Sequence, residues 1–227
     1  MLGGRYTPSG LSVKIVIRVA LLAALIIIFF VLAREVRQQD TLSFDEFTLR
    51  EINQHADPQF DRFFAGVTQL GGVFAGVLIT AALATIFALR KQWRRVLIVV
   101  AGMGGVLILN VSLKLLFERV RPDLWQQIVT ETSFSFPSGH AMASAGLAFL
   151  IGYFVWKSMF PRWMKGILYV LLILYVILIA LSRLYLGVHY PTDIIGGWLI
   201  STAWMAAIIP LITHYRSKRQ RLTTSNT

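Results

Sequence analysis

The 227-residue chain contains no cysteine, which excludes disulfides, thiolate metal ligands and a cysteine nucleophile. Charge is scarce too: 15% of residues are Asp, Glu, Lys or Arg, against about 25% in an ordinary soluble domain. Acid is scarcer still, with 11 Asp plus Glu set against 22 Lys plus Arg. Apolar residues make up 56% of the chain, where a soluble domain has roughly 45–50%. An ordinary soluble protein is therefore excluded. A sizeable soluble domain is excluded as well, because six bilayer spans of about 20 residues each consume more than half of such a chain.

Almost uncharged apolar runs extend over Ile15 to Ala33, Phe63 to Leu89, Val96 to Phe117, Ala141 to Trp156, Ile167 to Tyr185 and Ile194 to Ile212. They predict an all-α integral membrane protein of six transmembrane helices, a single domain over residues 1–227 that ends in a basic tail at residues 213–227. The first run is longer than a signal-peptide core and is read as a span. The fourth is short, so its helix is expected to start at Ser138 and to continue past Trp156. The glycine doublets Gly71-Gly72, Gly104-Gly105 and Gly196-Gly197, and the spaced pairs Gly72 with Gly76 and Ala141 with Ala145, suit close helix contact in lipid. Ser43 and Glu46 predict a capping box that opens a short interfacial helix carrying Phe47, Leu49 and Ile52.

The connections separate by charge. One set carries Arg5, Lys14, Arg90, Lys91, Arg94, Arg95, Lys157, Arg162, Lys165, Arg216, Lys218, Arg219 and Arg221 without a single acid. The other, Arg34 to Arg62, Glu118 to Ser138 and Leu186 to Asp193, holds every acid in the sequence. By the positive-inside rule the first set is cytoplasmic and both termini are inside. Membrane orientation thus accounts for the net charge of +11, and no nucleic-acid partner is expected.

Three clusters fall at the outward ends of the spans: Lys114 with Arg121-Pro122, then Pro137-Ser138-Gly139-His140, then Ser182-Arg183 with His189 and Asp193. Each residue alone has a bland use. Lys114 can pair with Glu118, Ser138 can cap a helix, and Asp193 can complement a helix dipole. Together, three cations and a Ser-Gly turn at a helix N-terminus form a phosphate cradle, in which backbone N–H groups point at the anion and Gly139 permits close approach. Two histidines add a nucleophile and a proton donor, and a carboxylate four residues beyond one of them can hold its tautomer. Gly187 and Pro191 place His189 in a tight turn, so His189 and Asp193 do not read as a helical zinc pair.

With these eleven motif positions in order and spacing, the sequence resembles the type 2 phosphatidic acid phosphatase superfamily of integral-membrane lipid phosphate phosphatases. The motif region is 114–193, and Phe44-Asp45 and Thr68 to Gly71 are also similar to the family. The resemblance implies hydrolysis through a phosphohistidine, with His189 as nucleophile, Asp193 as its orienter and His140 as general acid. Lys114, Arg121, Ser138, Gly139 and Arg183 would hold the phosphoryl oxygens. It implies no metal, no cofactor and no obligate protein partner, and a membrane lipid phosphate as substrate. The compact form resembles phosphatidylglycerophosphatase B-type members, which points to phosphatidylglycerol phosphate; undecaprenyl diphosphate, phosphatidic acid and diacylglycerol pyrophosphate stay open. A hydrolase with Ser138 as nucleophile lacks the Gly-x-Ser-x-Gly setting. A transporter would put its anion site near the midplane instead of at one face.

The absence of cysteine makes the orientation directly testable. Single cysteines replacing Arg94 and Gln126 should differ in intact cells, with an impermeant thiol reagent labelling the one at Gln126 and sparing the one at Arg94. The reverse pattern would turn the protein over.

Overall fold

The structure, a computed structural model, describes residues 11–224. Eight α-helices follow one another: α1 (Leu11–Gln38), α2 (Leu42–Asn53), α3 (Pro58–Thr68), α4 (Val73–Leu89), α5 (Trp93–Phe117), α6 (Gly139–Lys157), α7 (Arg162–Tyr185) and α8 (Pro191–Thr224). Helices dominate because apolar segments in lipid must satisfy their backbone N–H and C=O groups internally. Five of them are long and apolar enough to cross a membrane by themselves, and the pair α3 and α4 makes a sixth span if counted as one. Arg5, with the rest of residues 1–10 and residues 225–227, lies outside the described residues. Over the basic tail the backbone stays helical as far as Thr224, so α8 runs well past Ile212 and carries Pro210 inside it.

The second predicted span is broken. Asp57 caps α3 by accepting from Gln59 N at 2.7 Å, with Pro58 at the first helical position. A short 3₁₀ turn at Gln69–Gly71 then leads, through extended Gly72, into α4, with a bend of 40°. The doublet Gly71-Gly72 marks this break. A Cβ on Gly71 would lie 2.5 Å from the Ile179 side chain, so α7 presses on the turn where only glycine fits. Gly76, expected to pack with Gly72, has no neighbour within 4 Å of an added Cβ.

The predicted interfacial helix exists as α2, but its cap differs. Thr41 stands at the N-cap and Ser43 is already inside the helix, so no Ser43–Glu46 capping box forms. Thr41 Oγ1 instead donates to Asp45 Oδ2 at 3.0 Å, and Glu46 pairs with Arg50. Leu49 and Asp45 are buried, while Phe44 and Phe47 are exposed. At α6 the expectation holds: Ser138 caps the helix, which runs 19 residues.

The centre of the bundle is α6. Half of its most apolar stretch is buried, against 6% for α1 and 22% for α7, so α1 and α7 turn most of their apolar surface outward. It packs against α5, α7 and α8, while α1 leans on α8 and α4 on α5. Val99, Met142, Leu150 and Met205 fill the core between these helices. Nearer the motif end, Phe136 is fully buried, stacked on Phe29 with centroids 5.8 Å apart and edge-on to Phe117 at 5.2 Å. This aromatic plug anchors the loop that carries the second motif.

The two residues of the doublet Gly104-Gly105 differ in a testable way. A Cβ on Gly105 would sit 2.2 Å from the Trp204 ring, whereas Gly104 has nothing within 4 Å. Gly105→Ala should destabilise the purified protein by about 1–3 kcal/mol through overpacking, and Gly104→Ala should leave thermal unfolding unchanged. Equal midpoints for the two variants would count against the α5–α8 contact.

Candidate active site

The chain leaves α7 through a turn that only glycine suits. Gly187 has φ +67°, and a Cβ there would approach Trp125 to 2.6 Å. Gly187 N and Val188 N return to the carbonyls of Leu184 and Arg183 at 3.0 and 3.3 Å, which closes the helix end. The turn delivers His189, 1% exposed, between the helices. Its Nδ1 lies 3.3 Å from Asp193 Oδ2 and its Nε2 lies 3.1 Å from Arg121 Nη1. With Nδ1–H donating to the carboxylate, Nε2 presents a lone pair toward the cations. Burial, followed by the charges of Arg121, Arg183 and Lys114, pushes the His189 pKa well below its ordinary value. The neutral, nucleophilic form of the ring is thereby favoured.

Asp193 is fully buried and fully occupied. Oδ2 accepts from Tyr190 N at 2.9 Å and from Ser135 Oγ, while Oδ1 accepts from Arg119 Nη1 at 2.6 Å. The other arm of Arg119 donates to Asp45 Oδ2 at 2.7 Å. Asp45, 0% exposed, also accepts from Thr192 N at 3.1 Å and Thr192 Oγ1 at 2.6 Å. The Arg119 guanidinium lies 4.2 Å over the Tyr190 ring. One arginine thus neutralises two buried carboxylates and ties α2 to the start of α8.

The second motif is fastened to the third through its backbone, since Ser138 N donates to Asp193 O at 3.1 Å. Ser138 Oγ accepts from Ala141 N at 3.4 Å, and Asn110 Nδ2 on α5 donates to Pro137 O at 3.1 Å. A Cβ on Gly139 would come within 3.1 Å of Asn110 Oδ1. The N–H groups of Gly139 and His140 belong to the first turn of α6 and have no intrahelical acceptor. His140 is half-buried and lies within electrostatic reach of Arg183, Glu131, Arg121 and Lys114.

The three predicted cations converge on this place. Lys114 does not pair with Glu118; its Nζ donates to Ser133 Oγ at 2.9 Å and to the Phe134 carbonyl. Arg121 Nε donates to Ser133 O at 2.7 Å and Nη1 to Val188 O at 2.6 Å. Arg183, 1% exposed, donates Nη1 to Thr68 Oγ1 at 2.8 Å and Nη2 to Glu131. Glu131 also stands 3.7 Å from Arg121 Nη2. Burial alone would raise the Glu131 pKa, but Arg183 and Arg121 outweigh it and hold the carboxyl below its ordinary value. Arg183 Nε is buried and has no acceptor among the described residues. Glu131 divides its two oxygens between Arg183 and Arg121, so the Arg183 Nε donor is left unused.

Motif spacing does not single out Arg119, Glu131, Ser135, Thr68 or Asn110, yet these residues hold the geometry together. Arg119 has a signal in the sequence, two positions before Arg121 on an acid-bearing connection. Glu131 has none beyond its sign. Asp45 and Thr68 stand only in the weaker parts of the family resemblance.

Comparisons with known proteins identify the family and the fold. A family model described as the PAP2 superfamily matches residues 95–218. Phosphatidylglycerophosphatase B of Bacillus subtilis is 36% identical over 177 residues, which cover 77% of this chain and 86% of that protein. Undecaprenyl-diphosphatase of Sulfolobus acidocaldarius is 38% identical over 76 residues, 33% of this chain and 32% of that one. Among solved structures, the crystal structure of a transmembrane PAP2 type phosphatidylglycerolphosphate phosphatase from Bacillus subtilis superposes with a TM-score of 0.74 at 32% identity, covering 87% of this chain and 96% of the other.

The Arg119 bridge generates a stability test. Removing one partner of a buried ion pair leaves an uncompensated charge and costs about 3–5 kcal/mol. Arg119→Met should lower stability by that amount, and adding Asp45→Asn should restore part of it, because one of the two orphaned charges is then gone. Full additivity of the two losses in thermal unfolding would refute the shared bridge.

Proposed function

The chain belongs to the PAP2 superfamily, which makes it a lipid phosphate phosphatase of the membrane, and from that premise we propose that it removes the terminal phosphate of phosphatidylglycerol phosphate through a phosphohistidine formed on His189. The observation that carries this reading is the His189 ring itself. Asp193 holds Nδ1–H, and Nε2 turns its lone pair toward Arg121 within a pocket of three cations.

The steps follow from these positions. The terminal phosphate displaces Glu131 from Arg183 and takes up the unused Arg183 Nε, with Arg121, Lys114, Ser138 and the Gly139 N–H around its remaining oxygens. His189 Nε2 attacks phosphorus and the P–O bond to the lipid breaks. The departing oxygen takes a proton from His140. Asp193 stabilises the positive charge that the phosphorylated imidazole acquires. Water, deprotonated by His140, then attacks phosphorus, the P–N bond breaks, and inorganic phosphate leaves with His189 restored. Phosphoryl transfer spreads charge over three equatorial oxygens, and fixed cations and dipoles supply most of its catalysis. No step draws on a metal or cofactor.

Substrate choice rests on the similarity to Bacillus phosphatidylglycerophosphatase B over most of both chains. The shorter similarity to an undecaprenyl-diphosphatase supports a second activity on prenyl diphosphates. The segregation of acid and base supports a site at the outer face of the cell membrane, where a lipid can present its phosphate while its tails remain in the bilayer.

Two experiments test this reading. Wild-type protein given a ³²P-labelled lipid phosphate and quenched in alkali should carry acid-labile label, and His189→Ala should carry none and release no phosphate from any lipid. Arg121→Ala and Arg183→Ala should each lose about 10²–10³-fold in kcat, the cost of one removed electrostatic donor. Label that persists in His189→Ala would sink the mechanism. The second experiment isolates His140. Phosphatidylglycerol phosphate expels an alkoxide whose conjugate acid is about as weak as water, with a pKa of roughly 15, whereas a prenyl diphosphate expels a phosphate monoester with a second pKa of about 6. In phosphoenzyme formation, His140→Ala should therefore lose about 10²–10⁴-fold on the first and far less on the second. Equal losses would make His140 a binding residue.

A further inference from the structure

A large cavity lies away from the motifs, toward the opposite, basic end of the bundle. This cleft of about 1180 Å³ runs between α1 and α7 over a floor formed by α6 and α8. Ala145 and Lys157 both line it, and the stretch of α6 from one to the other rises about 18 Å. That is roughly the depth of one leaflet, half of a hydrocarbon core about 30 Å thick. The volume exceeds the roughly 300–1,000 Å³ of pockets built for drug-sized molecules. Along its depth the wall is apolar, with Leu25 on α1 and Ile177 on α7, and no Asp or Glu lines it.

At the basic end the lining changes to Arg18, Arg94, Arg95 and Lys157. Among the described residues no carboxylate pairs with any of these cations. Three of them meet neutral partners instead. Arg94 Nη2 donates to Thr213 O at 2.5 Å, the Arg95 guanidinium lies 5.4 Å over Phe87, and Lys157 Nζ lies 4.2 Å over Trp156. Arg18 is the most telling of the four. It is the only charge in the first apolar run, Ile15 to Ala33, and a cation placed inside a membrane span is costly unless an anion or water meets it.

We propose that this cleft binds an anionic diacyl phospholipid of the leaflet opposite the catalytic cluster, with its phosphate among Arg18, Arg94, Arg95 and Lys157 and its acyl chains between α1 and α7. Basic pockets between transmembrane helices on the cytoplasmic side bind such headgroups. A zwitterionic lipid would fill the apolar depth and leave the cations uncompensated. A second copy of this chain would bring no counter-charge either, since all 11 acids fall within residues 35–61, 118–131 and 193, at the motif end. The site is separate from the catalytic reading and stands or falls without it.

The test uses the full-length protein in detergent and native mass spectrometry, with phosphatidylserine and phosphatidylcholine of identical chains as probes. Phosphatidylserine has no terminal phosphate for the catalytic site to capture. Wild-type protein should retain one phosphatidylserine per chain in preference to phosphatidylcholine. The double variant Arg18→Gln, Arg94→Gln should weaken that retention about thirtyfold, from about fivefold per cation near a membrane surface, while Arg18→Lys, Arg94→Lys keeps it. Ala148→Trp, which fills the cleft and leaves every charge in place, should weaken it as well. Unchanged phosphate release and thermal midpoint in the variants exclude misfolding as the cause. Equal retention of the two lipids would overturn the proposal, as would undiminished binding in the glutamine variant. Undiminished binding in Ala148→Trp would place the acyl chains outside the cleft, and a lipid-free dimer that Ala148→Trp dissociates would make a second copy the occupant. Either result overturns it.

Discussion

Two fully buried carboxylates, Asp45 and Asp193, meet one arginine, and the motif-bearing end of the molecule is organised around that contact. In a low-dielectric interior each carboxylate would be costly alone. Arg119 compensates both at once, and its ring contact with Tyr190 and hydrogen bond to Thr192 hold it in a single orientation. From that bridge the rest follows in order. Asp193 is held in place, so His189 Nδ1 has a fixed acceptor; the backbone carbonyl of Asp193 in turn receives Ser138 N. The second and third motifs are therefore registered against each other by one residue, through its side chain on one side and its backbone on the other.

The opposite problem governs the cradle. Three cations crowded together repel, and the loop between α5 and α6 answers this with acceptors. The Ser133 hydroxyl and carbonyl, the Phe134 carbonyl and the Glu131 carboxylate take N–H groups of Lys114, Arg121 and Arg183. This loop is pinned where Phe136 is plugged among Phe29, Phe117 and Gly196, and lies closer to the surface at Glu131, whose side chain is 25% exposed. An anion with more acceptor oxygens than a carboxylate has a physical reason to replace Glu131, because Arg183 Nε still lacks a partner among the described residues.

Charge is distributed over the bundle by the same rule. At one end every acid in the sequence is gathered, and there Arg119, Arg121 and Arg183 find counter-ions. At the other end there is no acid, and Arg18, Arg94, Arg95 and Lys157 line an apolar cleft. Within a bilayer such charges are stable only where they reach water or lipid headgroups at the interface.

By itself the sequence determined the membrane class, five of the six predicted spans as continuous helices, and the motif positions from Lys114 to Asp193. Each of these depends on local quantities: run length, charge sign and spacing along one chain. The turn before His189 was legible for the same reason, since the positive φ at Gly187 asks for that residue type in any context. Tertiary structure alone decided the break at Gly72, because the Ile179 side chain that excludes a Cβ at Gly71 comes from α7. It decided the cap of α2 as well: Asp45 accepts from Thr41 at its own helix but from Thr192 and Arg119 across space, and no local pattern announces those partners. Glu131 and Arg119 escaped spacing arguments for the same cause. A buried charge is recognised by the opposite charge brought to it, and only the folded chain brings Arg183 to Glu131 and Asp45 and Asp193 to Arg119.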